Sequence, residues 1–137
     1  MTTPRIIFCG DRHWSDAQFI YDVMDFIKST LGNFVVIEGE AQGADIASRD
    51  CAEELGLEVL KFPADWKQYG KAAGPIRNTQ MRIEGKADGV VAFHHNLQES
   101  KGTKNMVEQS IKAGLPVWVS TSGFEALEEF VKTLKGE

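Results

Sequence analysis

A short apolar run, a glycine-containing loop and an amphipathic stretch follow one another five times along these 137 residues. That alternation constrains the fold more than any other feature. The runs lie at Arg5–Cys9, Phe34–Ile37, Leu57–Phe62, Gly89–Phe93 and Pro116–Ser120. Each is short and bounded by turn residues, as buried strands are, and the long amphipathic stretch between runs carries the chain back to the starting edge, so the strands are parallel. Right-handed crossovers wind such units into an α/β fold, a Rossmann-like doubly wound sheet of about five parallel strands with helices on both faces. One domain, residues 1–137, accounts for a chain of this length.

Helix signals fall between the runs. Ser15 and Gln18 have capping-box spacing. Ile20, Val23, Met24, Ile27 and Leu31 follow at the helical period. Ala44, Ala47, Cys51 and Leu55 give the next helix a face of small side chains that permits close approach to the sheet. After Leu57–Phe62 comes the longest stretch read as irregular, 64–73, and then Gly74 and Pro75. These suit the cap and first position of a helix, because proline lacks only an N–H that would be unpaired there. Arg77 and Asn78 then fall in its first turn. A further helix is predicted from Thr103 to Ala113, and a last one behind Ser122 and Glu125, a second capping box, with Phe124, Leu127, Val131 and Leu134 as its buried stripe.

In such a sheet ligands bind beyond the carboxyl ends of the strands. Gly10, Asp11, Arg12 and Trp14 follow the first strand, and Gly39, Gly43 and Asp45 follow the second. Asp65, Trp66, Tyr69, Gly70 and Lys71 follow the third, with Arg77 and Asn78 in the helix beyond. His94, Ser100, Lys101, Gly102 and Thr103 follow the fourth. The opposite ends, around Gly32, Gly56, Ala87 and Gly114, hold mainly short turns. Function therefore belongs at the carboxyl edge, where three loops converge on one phosphate-bearing ligand.

The run Ser100-Lys101-Gly102-Thr103 brings backbone N–H groups, a hydroxyl and a cation to a helix start, and the glycine allows close approach; together these make an anion site. It lacks the second glycine and the Lys-Ser/Thr order of a Walker loop, which argues against triphosphate hydrolysis. A cation such as Arg77 in a first turn opposes the helix dipole, and a neighbouring anion resolves the conflict. A guanidinium fork on a phosphate or sugar carboxylate is favoured over a structural tie to Asp65 or Asp88. Gly39 and Gly43 read equally as turn residues, Asp45 as an ordinary first-turn carboxylate or a ribose contact, and Asn78 as a cap or a ligand contact. Trp14, Trp66 and Tyr69 either cover the sheet edge or stack a flat base. His94 and His95 have no Cys or His partner at ligand spacing, so neither a metal site nor a cofactor is expected.

A formal charge of −5 argues against a broad nucleic-acid surface, which needs a basic stripe, and points to a small-molecule partner. Cys9 and Cys51 sit in apolar or helix-like stretches and are expected as free thiols in a reduced, cytoplasmic setting. No apolar run approaches the roughly 18 residues of a membrane span, and Ile6–Cys9 is too short for a signal-peptide core. The sequence leaves the oligomeric state open; the apolar faces of the last two helices could supply the contact of a homodimer.

The segments Gly39–Asp45, Phe62–Trp66, Tyr69–Lys71, Ala73–Pro75, Arg77–Asn78 and Ser100–Thr103 resemble the SLOG superfamily, and more narrowly its YspA-like, YpsA-related branch, found in bacteria and their phages. The resemblance runs from Gly10 to Val119. It implies a Rossmann-like sheet that binds a nucleotide or nucleotide-derived ligand. The superfamily includes lonely-guy phosphoribohydrolases, which split nucleoside monophosphates into base and ribose phosphate, DNA-processing protein A, which binds single-stranded DNA, and sensor domains of defence systems. In the hydrolases an arginine after strand three works with a glutamate three residues beyond a loop threonine. Arg77 matches the first; Met106 stands where the glutamate would be, and Glu108 lies about 140° further round the helix. Asp45, Glu40, Asp11 or Asp65 would have to supply the carboxylate. The resemblance leaves three functions open: a nucleotide sensor or sequestering module with Lys101, Gly102 and Thr103 on phosphate, Arg77 assisting and Asp45 at the ribose; a phosphoribohydrolase with Arg77 and Asp45 as its catalytic pair; and a single-stranded DNA binder using Arg12, Lys71, Arg77, Lys101 and Lys104 as a stripe.

Overall fold

The computed structural model describes residues 2–137. Five strands, β1 (Arg5–Gly10), β2 (Val35–Glu38), β3 (Val59–Lys61), β4 (Gly89–Phe93) and β5 (Val117–Val119), form one parallel sheet. Their order is β3-β2-β1-β4-β5. The helices that connect and cover them are α1 (Ala17–Leu31), α2 (Ala44–Glu54), α3 (Trp66–Tyr69), α4 (Ala73–Ile83), α5 (Gly102–Lys112) and α6 (Phe124–Leu134). This is the doubly wound α/β architecture that the alternation predicts.

Side chains alternate across the sheet. Ile6 and Phe8 of β1 join Val36, Val91 and the apolar faces of α1, α2 and α6, whereas Ile7 and Cys9 join Ile37, Val90 and Ala92 beneath Met81 of α4 and Met106 of α5. Burying an Ile or Phe this completely contributes roughly 1.5–3 kcal/mol each, so the central strands are the rigid part of the molecule. In β1 and β4, Phe8 lies opposite Val91 and Gly10 opposite Phe93. The strand order reverses at this pair: the chain leaves β1 toward β2 on one side and leaves β4 toward β5 on the other, so the two exit loops diverge and leave a crevice between them.

Several boundaries differ from those the sequence suggests. Asp16, not Ser15, caps α1, its carboxylate accepting the Phe19 N–H at 3.0 Å. Gln18 instead donates to Asp22. Gly123 precedes α6 and Ser122 makes no capping bond. Phe124, expected in the buried stripe of α6, is 57% exposed and meets Phe26 edge-on, while Phe130 takes the buried place beside Leu127 and Val131. Part of the stretch read as irregular is helical. Asp65 caps α3 by accepting the Gln68 N–H at 3.0 Å, and a 3₁₀ turn at Gly70–Ala72 runs directly into α4. α4 therefore starts at Ala73, Pro75 is its third residue, where an N–H would still be unpaired, and Arg77 is its fifth, beyond the first turn.

Candidate functional site

The crevice beyond β1 and β4 opens into a cavity of about 640 Å³. Its walls come from five loops and helix starts: Gly10, Asp11 and Arg12 after β1, Asp45 in the first turn of α2, Trp66 on α3, Arg77 and Asn78 on α4, and Ser100 to Thr103 at the start of α5. Twelve of the residues that the sequence places at the carboxyl edge, His94 among them, thus meet at one place. A groove of about 790 Å³ lies at the opposite edge, where the strands begin. There Arg5 Nε donates to the Gly85 carbonyl at 2.6 Å and the Arg5 amide to Asp88 at 2.8 Å.

α5 points its amino terminus into the cavity. Ser100 Oγ accepts the Thr103 N–H at 3.0 Å and so acts as the cap. Among the described residues the amides of Gly102 and Lys104 have no protein acceptor. A side chain at Gly102 would meet nothing within 4 Å, so the approach to these amides is open. Thr103 is buried, whereas Lys101 is exposed at the rim. Asn78 is spent as a brace: its Nδ2 donates to the Gly102 carbonyl and to Asn105 Oδ1, both at 3.1 Å, tying α4 to the start of α5.

Arg77 is held from two sides. Its Nη1 donates to the Gly39 carbonyl at 2.6 Å and its Nε to Asn78 Oδ1 at 3.1 Å, with no bond to Asp65 or Asp88. Beside it lies Asp45, 4% exposed, whose Oδ2 accepts the amides of Gly39 (3.2 Å) and Ala41 (3.4 Å). Burial pushes the Asp45 carboxyl up to about 6 although the Arg77 guanidinium and those amides pull it down. A Cβ at residue 39 would run into Arg77 Nη1 and stand 2.9 Å from Asp45 Oδ2, so only glycine lets the pair pack against this loop. Gly43 has φ +79°, and a Cβ there would run into the Asp11 and Arg12 backbone. Gly39 and Gly43 shape the site from behind and do not line it.

Two more named residues stand outside the cavity. Trp14 is 9% exposed; its ring stacks on His95 at 4.6 Å and leans on Phe93, and its Nε1 donates to the Asp16 carbonyl, so it belongs to the core. Lys71 is exposed on the 3₁₀ turn and does not line the cavity. Trp66, by contrast, lines the mouth while 60% exposed, its ring over Gly74. Glu40 pairs with Arg49 at 3.0 Å and Asp65 is occupied as a cap.

Sequence reasoning missed the apolar floor and gave one polar wall no role. Cys9, Met81 and Met106 form the floor, where burial pushes the Cys9 thiol far up and keeps it neutral. Met106 is fully buried, so the position that carries a glutamate in the hydrolases contributes an apolar surface here, and Glu108 is exposed beside Lys104. His94, the first residue beyond β4, lines the cavity opposite Asp11. The sequence places it at this edge, after the fourth strand, but assigns it no role.

A model of the YspA, cpYpsA-related SLOG family (YAcAr) matches residues 4–69. The Gene 61 protein of Mycobacterium phage D29 is 35% identical over 119 residues, an alignment spanning 82% of this chain and 93% of that protein. In three dimensions the chain is similar to DNA processing protein A (DprA) from Streptococcus pneumoniae, with a TM-score of 0.64 and 19% identity over 98% of this chain. It spans 56% of that protein's length, and at this identity the likeness speaks to the fold alone.

Proposed function

This chain belongs to the YspA, cpYpsA-related SLOG family, and from that membership and the geometry of its cavity we propose that it binds a nucleotide or nucleotide-derived ribose phosphate, as a sensor or sequestering module. The observation that carries the reading is the start of α5: amides of Gly102 and Lys104 without protein acceptors, over a residue with no side chain, in the cavity that also holds Arg77. Free N–H groups and the positive end of the helix dipole favour an anion there, and the guanidinium adds a charge-assisted donor. A volume of about 640 Å³ suits a ligand of nucleotide size. Trp66 offers an exposed flat surface for a base at the mouth.

Asp45 favours a second reading. A carboxyl raised to about 6 beside Arg77 can give or take a proton near neutral pH, which cleavage of an N-glycosidic bond requires. In this phosphoribohydrolase reading Arg77 holds the ribose phosphate and Asp45 activates water. A single-stranded DNA stripe has less support, because Lys71 does not line the cavity that holds Arg12, Arg77 and Lys101, and Lys104 is paired with Glu108.

Calorimetric titration with a panel of ribonucleoside monophosphates, with chromatography for released base, tests both. Binding without release, weakened about tenfold or more in Arg77→Ala, is the expected result. Base release abolished in Asp45→Asn establishes the hydrolase instead. No binding by any member overturns both readings.

A further inference from the structure

His94 and Asp11 face each other across the cavity at the strand-order reversal, and both are placed by backbone contacts. Ser120 Oγ accepts the His94 N–H at 3.1 Å and donates to the His94 carbonyl at 3.2 Å, clamping the main chain at the end of β4. His94 Nδ1 accepts the Asn96 N–H at 3.0 Å, so in the neutral ring the remaining proton sits on Nε2. On the other side Asp11 N–H donates to the Phe93 carbonyl at 2.9 Å, and Asp11 Oδ1 accepts the His13 N–H at 2.9 Å. What is left over is one donor, His94 Nε2–H, and one acceptor, Asp11 Oδ2, 3.9 Å apart.

That separation is too long for a hydrogen bond between them. It is the right span for one oxygen between them: with bonds of about 2.9 Å to nitrogen and 2.7 Å to oxygen, the angle at the bridging atom is about 90°. A water can fill that place in the free protein; among the groups of a bound nucleotide, the one that both accepts from the imidazole and donates to the carboxylate is a sugar hydroxyl. A phosphate oxygen or a base carbonyl accepts from His94 but offers Asp11 no proton, and the carboxylate would repel the phosphate.

We infer that His94 and Asp11 form a hydroxyl-reading pair that selects ribose over deoxyribose in the bound nucleotide. The inference rests on the nucleotide reading above and assigns the sugar contact to this pair rather than to Asp45, whose Oδ2 is already committed to the Gly39 and Ala41 amides. A ligand lacking the hydroxyl leaves the pair desolvated with nothing between, and that is what makes hydroxyl recognition selective.

The test is calorimetric titration of the full chain with ribonucleoside monophosphates and their 2′-deoxy and 3′-deoxy counterparts. The wild type is expected to bind the ribonucleotide about tenfold or more tightly than at least one of the deoxy forms. Asp11→Asn keeps an oxygen for the His13 amide but replaces the acceptor with a donor. It should bring ribonucleotide affinity down to the level the wild type shows for the deoxy ligand. His94→Ala, checked for folding by thermal melting, should do the same. Equal wild-type affinity for all three ligands overturns the hydroxyl pair and leaves the nucleotide reading standing. A parallel loss of ribo and deoxy binding in both folded variants marks the pair as structural and also overturns it, and failure of every ribosyl phosphate to bind removes both.

Discussion

Glu38 shows how much this small protein tolerates near its carboxyl edge. It is fully buried at the end of β2; its Oε1 accepts the Glu40 N–H at 2.6 Å, and its Oε2 has no partner among the described residues. Glu40 itself adopts a left-handed φ of 58°, so this contact steadies a strained turn. Burial pushes the Glu38 carboxyl up to about 8, with the neighbouring Glu40 carboxylate adding to the rise, while the Glu38 carboxyl beside it, and then the Arg49 guanidinium, hold Glu40 low. A carboxyl raised in the folded state contributes stability that is complete below its ordinary pKa of about 4.5 and disappears as pH climbs through about 8. Asp45, raised to about 6, acts in the same sense over a lower range, whereas Glu40 acts oppositely and only as pH falls into the acid range. Scanning calorimetry should therefore show the melting temperature falling between pH 5 and pH 8.5. Glu38→Gln, neutral throughout, should flatten the fall and melt about 2–8 °C above wild type at pH 8.5, the shift expected for roughly 1 kcal/mol. A wild-type melting temperature that rises over this interval would contradict the burial argument.

At the scale of elements, the start of α5 carries the anion reading and can be tested apart from folding. A Cβ at residue 102 meets no protein atom within 4 Å, so Gly102→Val should change stability by only about 0.5 kcal/mol while its branched side chain covers the free amides and weakens nucleotide binding about tenfold or more. Lys101→Ala should lower the affinity less and flatten its salt dependence, because one cation is withdrawn from the rim. Undiminished binding by the Gly102→Val protein, measured by the same titration, would place the anion elsewhere. The strands and the residues beyond them were legible because apolar runs and glycine-bearing loops are local signals. The start of α1 was not, since Ser15 and Asp16 are both good caps and only the bond to Phe19 decides between them. The role of Arg77 was half legible: its chemistry and cavity follow from sequence, but its tie is to the Gly39 carbonyl, 38 positions away, and its place in the helix depends on a 3₁₀ turn that no single residue announces. Trp14 reads from sequence either as cover for the sheet edge or as a stacking surface, because its burial is set by Phe93 and His95, which lie far off along the chain. His94 carried no motif and acquires meaning only opposite Asp11.

At the scale of the whole molecule, an acidic chain of net charge −5 gathers free amides, Arg77, Arg12 and Lys101 at the one place where its strand order reverses. The larger groove at the other edge has cations of its own, Arg5 and Lys86, alongside Glu58 and Asp88. Where an anionic ligand settles between these two openings decides the account. Amide NMR spectra recorded while a ribonucleoside monophosphate is titrated into the protein measure this directly. Shifts concentrated at Gly10 to His13, Arg77 and Ser100 to Lys104 are the predicted result. Shifts centred on Arg5, Glu58 and Lys86, or spectra unmoved by every ribonucleoside monophosphate, would contradict it.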